Sequence, residues 1–292
     1  MRLNPFDTSK IKVRSSSGGS GGSRVGRAGG IGCGTLVVAL VAALAFGVDP
    51  AQTIALLDGA QQGQGAPQAD TGELTEQQIC TSGPFAREAC DALTSLNETW
   101  EPAFAAARVP FEQPTLNLFP SGRVDTNGCG SASSANGPFY CPADRTIYID
   151  VQFFDQLAQM AGTRGDFARL YVIAHEYGHH IQNLTGTASE VRRLQGRNPQ
   201  QANRLQVSME LQADCYAGVW AGKNRDRIER GDLEEGMRAA SSVGDDTLMA
   251  RAGRGINPES FTHGTSEQRM DALHRGLESA NSGVCDGYFD FR

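Results

Sequence analysis

His175 and His179 stand four residues apart with Glu176 between them, in the run His175-Glu176-Tyr177-Gly178-His179. On a helix, residues i and i+4 share a face, so two imidazoles would converge on one point while Glu176 sits one residue round. Further along, Glu210-Leu211-Gln212-Ala213-Asp214 sets two acids four residues apart, again on one helical face. Two imidazoles and one carboxylate form a ligand set with which a catalytic zinc keeps a fourth position open for water. In this reading His175, His179 and Glu210 bind a single Zn2+ per chain and Glu176 is the general base. Asp214 then accepts the second ring proton of a histidine ligand and fixes its tautomer. The chemistry predicted is zinc-dependent hydrolysis of a peptide bond.

The elements that must hold these residues are legible as periodic apolar stretches. Residues 166–180 read as one helix, with Phe167, Leu170, Tyr171 and Ala174 at helical spacing. The acidic pair falls in a second helix, opened by Asn198 as N-cap and Pro199 in the first turn, and continuing through Leu205, Met209, Cys215, Val219 and Trp220. Gly178 costs a helix interior about 1 kcal/mol, which points to close approach of another backbone or of substrate, or to a simple packing contact. His180 points away from its neighbour's ligand face and reads as a structural histidine. Upstream, residues 85–108 have helical periodicity and residues 116–119 suggest a short strand. Residues 146–151 alternate, with Ile147, Ile149 and Val151 on one face. Such a strand is either structural or an edge that takes up an extended peptide by strand addition. The Gly/Ser/Asn-rich stretch 127–138 reads as a loop near the cleft, and after Asp232 the chain is mainly helical. The fold class expected is α+β, mainly α.

Four segments in order, 137–144, 175–182, 210–215 and 262–269, resemble the bacterial membrane-anchored neutral zinc metallopeptidase family. The resemblance covers nearly the whole chain after its first few dozen residues. It implies a zincin-like metallopeptidase domain of gluzincin type, with a short β element beside the active-site helices and a zinc cofactor. The segment Thr262-His263-Gly264-Thr265-Ser266-Glu267-Gln268-Arg269 is also similar to an arrangement in membrane-associated zinc peptidases. By that resemblance His263 donates to the developing oxyanion and Arg269 braces a carboxylate near the site. The same residues would also start the last helix, with Thr265 and Gln268 as a capping box.

Composition bounds the rest. Residues 1–30 carry six of the 26 basic residues against one of the 33 acids and read as a disordered basic cytoplasmic tail. Residues 31–48 hold no charge and are long enough for a transmembrane helix, oriented N-in by the positive flank. A cleaved signal peptide is the rival reading. Residues 49–78 read as a linker with at most a short helix at 52–57, and 79–292 as the metallopeptidase domain. Beyond the tail, residues 31–292 carry 26 − 6 = 20 basic and 33 − 1 = 32 acidic residues, a net of about −12, which argues against nucleic acid as a partner. The expected partners are a protein or peptide substrate and the membrane through the N-terminal helix. The expected location is a single-pass cell (inner) membrane, with the catalytic domain periplasmic or extracellular. Cys33 falls in the uncharged run just before its apolar core, leaving six cysteines beyond it. Fifteen pairings are possible; proximity in sequence favours Cys80–Cys90 and Cys129–Cys141, which leaves Cys215 and Cys285 as a long-range clasp. The competing functions are a non-proteolytic zinc-binding envelope protein and an amidase acting on cell-wall peptides.

Overall fold

Helical spacing of apolar residues organises most of the molecule, and one small sheet closes it on one side. The structure, a computed structural model, describes residues 1–16, 74–120 and 122–289. In chain order the strands and helices begin with β1 (Lys12–Ser15), α1 (Glu76–Cys80) and α2 (Pro84–Ala107). Five strands follow: β2 (Thr115–Phe119), β3 (Arg123–Asp125), β4 (Ser131–Ser133), β5 (Phe139–Cys141) and β6 (Thr146–Asp150). The rest is helical: α3 (Phe153–Ala161), α4 (Asp166–Leu184), α5 (Thr187–Arg197), α6 (Ala202–Lys223), α7 (Asp232–Ser242), α8 (Asp245–Arg251) and α9 (Ser266–Ser279), with short 3-10 turns between. The fold is therefore mainly helical with a small sheet, as expected of an α+β domain.

The sheet has the order β1-β2-β6-β5, with β1, β2 and β6 parallel and β5 antiparallel to β6. β3 and β4 pair separately as an antiparallel ribbon inside the stretch read as a loop. Beneath the sheet, α2, α4 and α6 meet in one core of Leu93, Leu96, Ile173, Tyr177, Val219 and Trp220. The polar tips of the large aromatics are satisfied there, as burial demands. Trp220 Nε1 donates to Ser95 Oγ at 3.0 Å and the Tyr177 hydroxyl to Asn97 Oδ1 at 2.8 Å. α9 lies very close on α6 because both present glycine. A Cβ on Gly218 would stand 2.1 Å from the Leu273 carbonyl oxygen, and one on Gly276 2.0 Å from that of Cys215. The Cys215–Cys285 disulfide then ties α6 to the C-terminal turn, and Cys80–Cys90 and Cys129–Cys141 close the two local loops. All three pairings are those favoured by the sequence.

Three expectations need correction or narrowing. First, residues 1–16 are not a disordered tail. Ile11 and Val13 are buried, and β1 pairs in parallel with β2, register Lys12 to Thr115. Asn97 Nδ2 donates to the Lys10 carbonyl at 2.7 Å, and the Phe6 amide to Asp91 Oδ1 at 2.8 Å. The Gly/Ser and basic average over thirty residues hid an Ile-Lys-Val-Arg alternation, which is a strand signal. Second, of the two readings offered for β6 the structural one holds: it is internal, paired on both sides and buried on both faces, and the edges of the sheet are β1 and β5. Third, α6 begins at Ala202 after a 3-10 turn over Pro199–Gln201, and the Asn198 side chain makes no cap bond. The expected membrane span 31–48 and helix 52–57 lie outside the described residues. Among those described, no helix is long and apolar enough to cross a membrane.

Candidate metal centre

α4 runs from Asp166 to Leu184, and its i, i+4 geometry brings the His175 and His179 rings to 4.8 Å between centroids, nearly perpendicular. α6 crosses α4 at Gly178, where a Cβ would stand 2.8 Å from Ala213 Cα. A side chain there would force the helices apart, so the glycine answers a close backbone approach. That approach sets Glu210 opposite the histidines. Glu210 Oε2 lies 3.2 Å from His175 Nε2 and Oε1 3.6 Å from His179 Nε2. One ligand atom from each of the three residues lies within 4.8 Å of the other two.

Behind this trio both imidazoles are gripped at Nδ1, which turns Nε2 towards the shared point. Asp214, one turn after Glu210, takes His175 Nδ1 at 2.8 Å. The same carboxylate accepts the Tyr171 hydroxyl at 2.6 Å, Arg269 Nε at 2.8 Å and Arg269 Nη2 at 3.0 Å. Arg269 and Asp214 are both buried and neutralise one another. The expected bracing of a carboxylate by Arg269 has this concrete form. His179 Nδ1 lies 2.8 Å from Gln182 Oε1, a partner that sequence reasoning passed over although it stands one turn along α4.

The field at the site favours positive charge. Burial works to lower the His175 pKa, but the Asp214 and Glu210 carboxylates override it and lift it to about 10. Burial alone would raise Glu210; the charges and hydrogen bonds of His179 and His175, with His263 adding to them, hold it well below the ordinary value. A cluster of two imidazoles and a carboxylate with a net appetite for positive charge fits a zinc ion by donor chemistry and by convergence. Glu176 is buried beside the cluster, and burial pushes its carboxyl above the usual range against the pull of His175 and His179. A carboxyl buried beside this cluster is placed for proton transfer.

His263 approaches from the turn before α9. Its charge acts on Glu210, and its Nδ1 lies 3.2 Å from Asp245 Oδ1. Asp245 was not foreseen; its other oxygen accepts the backbone N–H groups of Thr262, His263 and Gly264 at 2.7, 2.7 and 3.0 Å. Thr265 and Gln268 form the capping box of α9, as the sequence suggested. His180 is fully buried; its Nδ1 meets the Tyr140 hydroxyl at 3.0 Å and its Nε2 the Glu112 carbonyl at 2.7 Å. It takes no part in the trio.

Comparison with known proteins agrees with this geometry. A family profile described as "Putative neutral zinc metallopeptidase" matches residues 5–288. The chain is similar to the Escherichia coli (strain K12) "Uncharacterized protein YpfJ", 45% identical over 199 residues, 67% of this chain and 69% of that one. It is similar too to the Mycobacterium tuberculosis (strain H37Rv) "Uncharacterized protein Rv2575", 40% identical over 207 residues, 66% of this chain and 67% of that one. No solved structure matches significantly.

Proposed function

This chain belongs to the neutral zinc metallopeptidase family, and from that premise we propose that it is an extracytoplasmic zinc-dependent endopeptidase acting on protein or peptide substrates. The observation that carries the proposal is the convergence of His175, His179 and Glu210 with Glu176 buried alongside. His175, His179 and Glu210 would hold the ion, which when bound supplies Lewis acidity and lowers the pKa of water. Glu176 takes the proton from the attacking water and delivers it to the leaving amine. Asp214, itself held by Arg269 and Tyr171, keeps the His175 proton on Nδ1. His263, steadied by Asp245, donates to the oxyanion as it develops. β6 already has partners on both sides, so a peptide joining this sheet on the α4 side meets β5, whose Tyr140 hydroxyl touches His180 and Asn183. Three disulfides support work in an oxidising compartment.

The test uses the full chain with its disulfides formed, because β1 belongs to the sheet. Wild type and Glu176→Gln should each carry one zinc, with cleavage of a denatured protein by wild type alone and abolished by a chelator. Glu210→Ala should lose the zinc. Equal metal loss in Glu176→Gln and Glu210→Ala would overturn the division of roles. Zinc in wild type without cleavage would favour a non-proteolytic zinc-binding envelope protein.

A further inference from the structure

The two histidines are held at Nδ1 by acceptors of different kinds. Asp214 has two equivalent oxygens, so it accepts from His175 whichever way it turns. Gln182 has one accepting end and one donating end, and only one of them suits a metal ligand. If its oxygen faces His179, the ring proton sits on Nδ1 and the Nε2 lone pair is free. If its nitrogen faces His179, the proton must move to Nε2 and the ligand atom is blocked.

The surroundings of Gln182 decide between these. Gln182 is fully buried, and its nitrogen lies 2.7 Å from the Met209 carbonyl oxygen and 3.0 Å from Gln212 Oε1. Gln212 is also buried, and its own nitrogen lies 3.1 Å from the Cys285 carbonyl oxygen. Backbone carbonyls only accept. The Cys285 carbonyl therefore fixes Gln212, and the Met209 carbonyl with Gln212 fixes Gln182. We propose that Gln182 is a positioning residue for zinc binding, and that this buried amide relay, Cys285 to Gln212 to Gln182, dictates which nitrogen of His179 carries the proton.

The choice of an amide has its own logic. Glu176, Glu210 and Asp214 already place three carboxyl groups here, and a fourth charge without a partner would be costly to bury. An amide accepts without adding charge, at the expense of needing its direction fixed, and two backbone carbonyls fix it. The relay also ends at a disulfide half, since Cys285 is bonded to Cys215 on the ligand helix α6.

The inference rests on the zinc reading given above, but the His179 tautomer can be read without metal. Nitrogen-15 NMR of the histidine rings in chelator-treated full-length protein, at a pH high enough for the ring to be neutral, should show His179 with its proton on Nδ1. Competition against a chelator should show Gln182→Met binding zinc roughly 10–100-fold more weakly than wild type, with mixed His179 tautomers. Gln182→Glu, which restores an acceptor, should recover part of that loss. Gln212→Met, which leaves Met209 as an anchor, should lose less than Gln182→Met and covers the case in which the latter does not fold. Wild-type affinity and tautomer in Gln182→Met, or a wild type protonated at His179 Nε2, would overturn the proposal. A wild type that binds no zinc would instead defeat the metal reading, and the tautomer would still decide this one.

Discussion

Asp245 holds three backbone N–H groups and one ring nitrogen, and so governs the loop that carries His263. Burial alone would raise its pKa; the hydrogen bond and charge of His263, with the backbone N–H groups, bring it below the ordinary 3.8. A carboxyl with a depressed folded pKa binds fewer protons than its unfolded counterpart. Its contribution to stability is present above about 3.8 and is lost as pH falls through the folded value. Between roughly pH 5 and pH 3 the denaturant midpoint of wild type should therefore fall more steeply than that of Asp245→Asn; equal slopes would show that the carboxylate charge is not what holds the loop. The grouping of His175, His179 and Glu210 was legible in the sequence because its first two members obey a local rule, i and i+4 on one helix face. Asp245 and Gln182 were not. Gln182 is a near neighbour of His179, but what gives it a role is Met209 and Gln212 on another helix, and spacing along the chain carries no trace of that.

At the level of elements, the angle and separation of α4 and α6 make the site. Gly178→Ala places a methyl 2.8 Å from Ala213 Cα, an overpacking that costs about 1–3 kcal/mol. The expected result is a lower melting temperature together with weaker zinc binding, because Glu210 moves away from the histidines with its helix. A stable variant with unchanged zinc affinity would show that the crossing is looser than this contact requires. The long helices were readable from apolar residues recurring three and four apart, although α6 is buried on every side from Met209 to Ala221. The strands were harder. The polar face expected of β6 is buried as well, since Arg14 reaches across from β1 to Thr146 and Tyr148 at 3.1 and 2.9 Å. Alternation in residue type therefore did not mean alternation in exposure. β1 itself is four residues long, too short to survive averaging over a basic, Gly/Ser-rich stretch.

At the level of the whole molecule, the sheet unites the N-terminal residues with the helices that carry His175, His179 and Glu210. Thiol labels at Ser9 and Ile256, both exposed, introduced one at a time as cysteines in a Cys33→Ser background, should react with an impermeant reagent from the same side. Labelling from opposite sides would mean that β1 is unpaired in the cell. A chain shortened to start at Glu76 loses the burial of Ile11 and Val13, worth about 3–6 kcal/mol together, and should melt earlier than the full chain. The pairing of β1 with β2 also has a consequence in time. Lys12 leaves the ribosome about a hundred residues ahead of its register partner Thr115, and at 5–20 residues per second that gap lasts about 5–20 s. For that interval the first strand waits with an open edge, so the pace of translation through the intervening stretch becomes a determinant of how much of the newborn chain reaches this sheet.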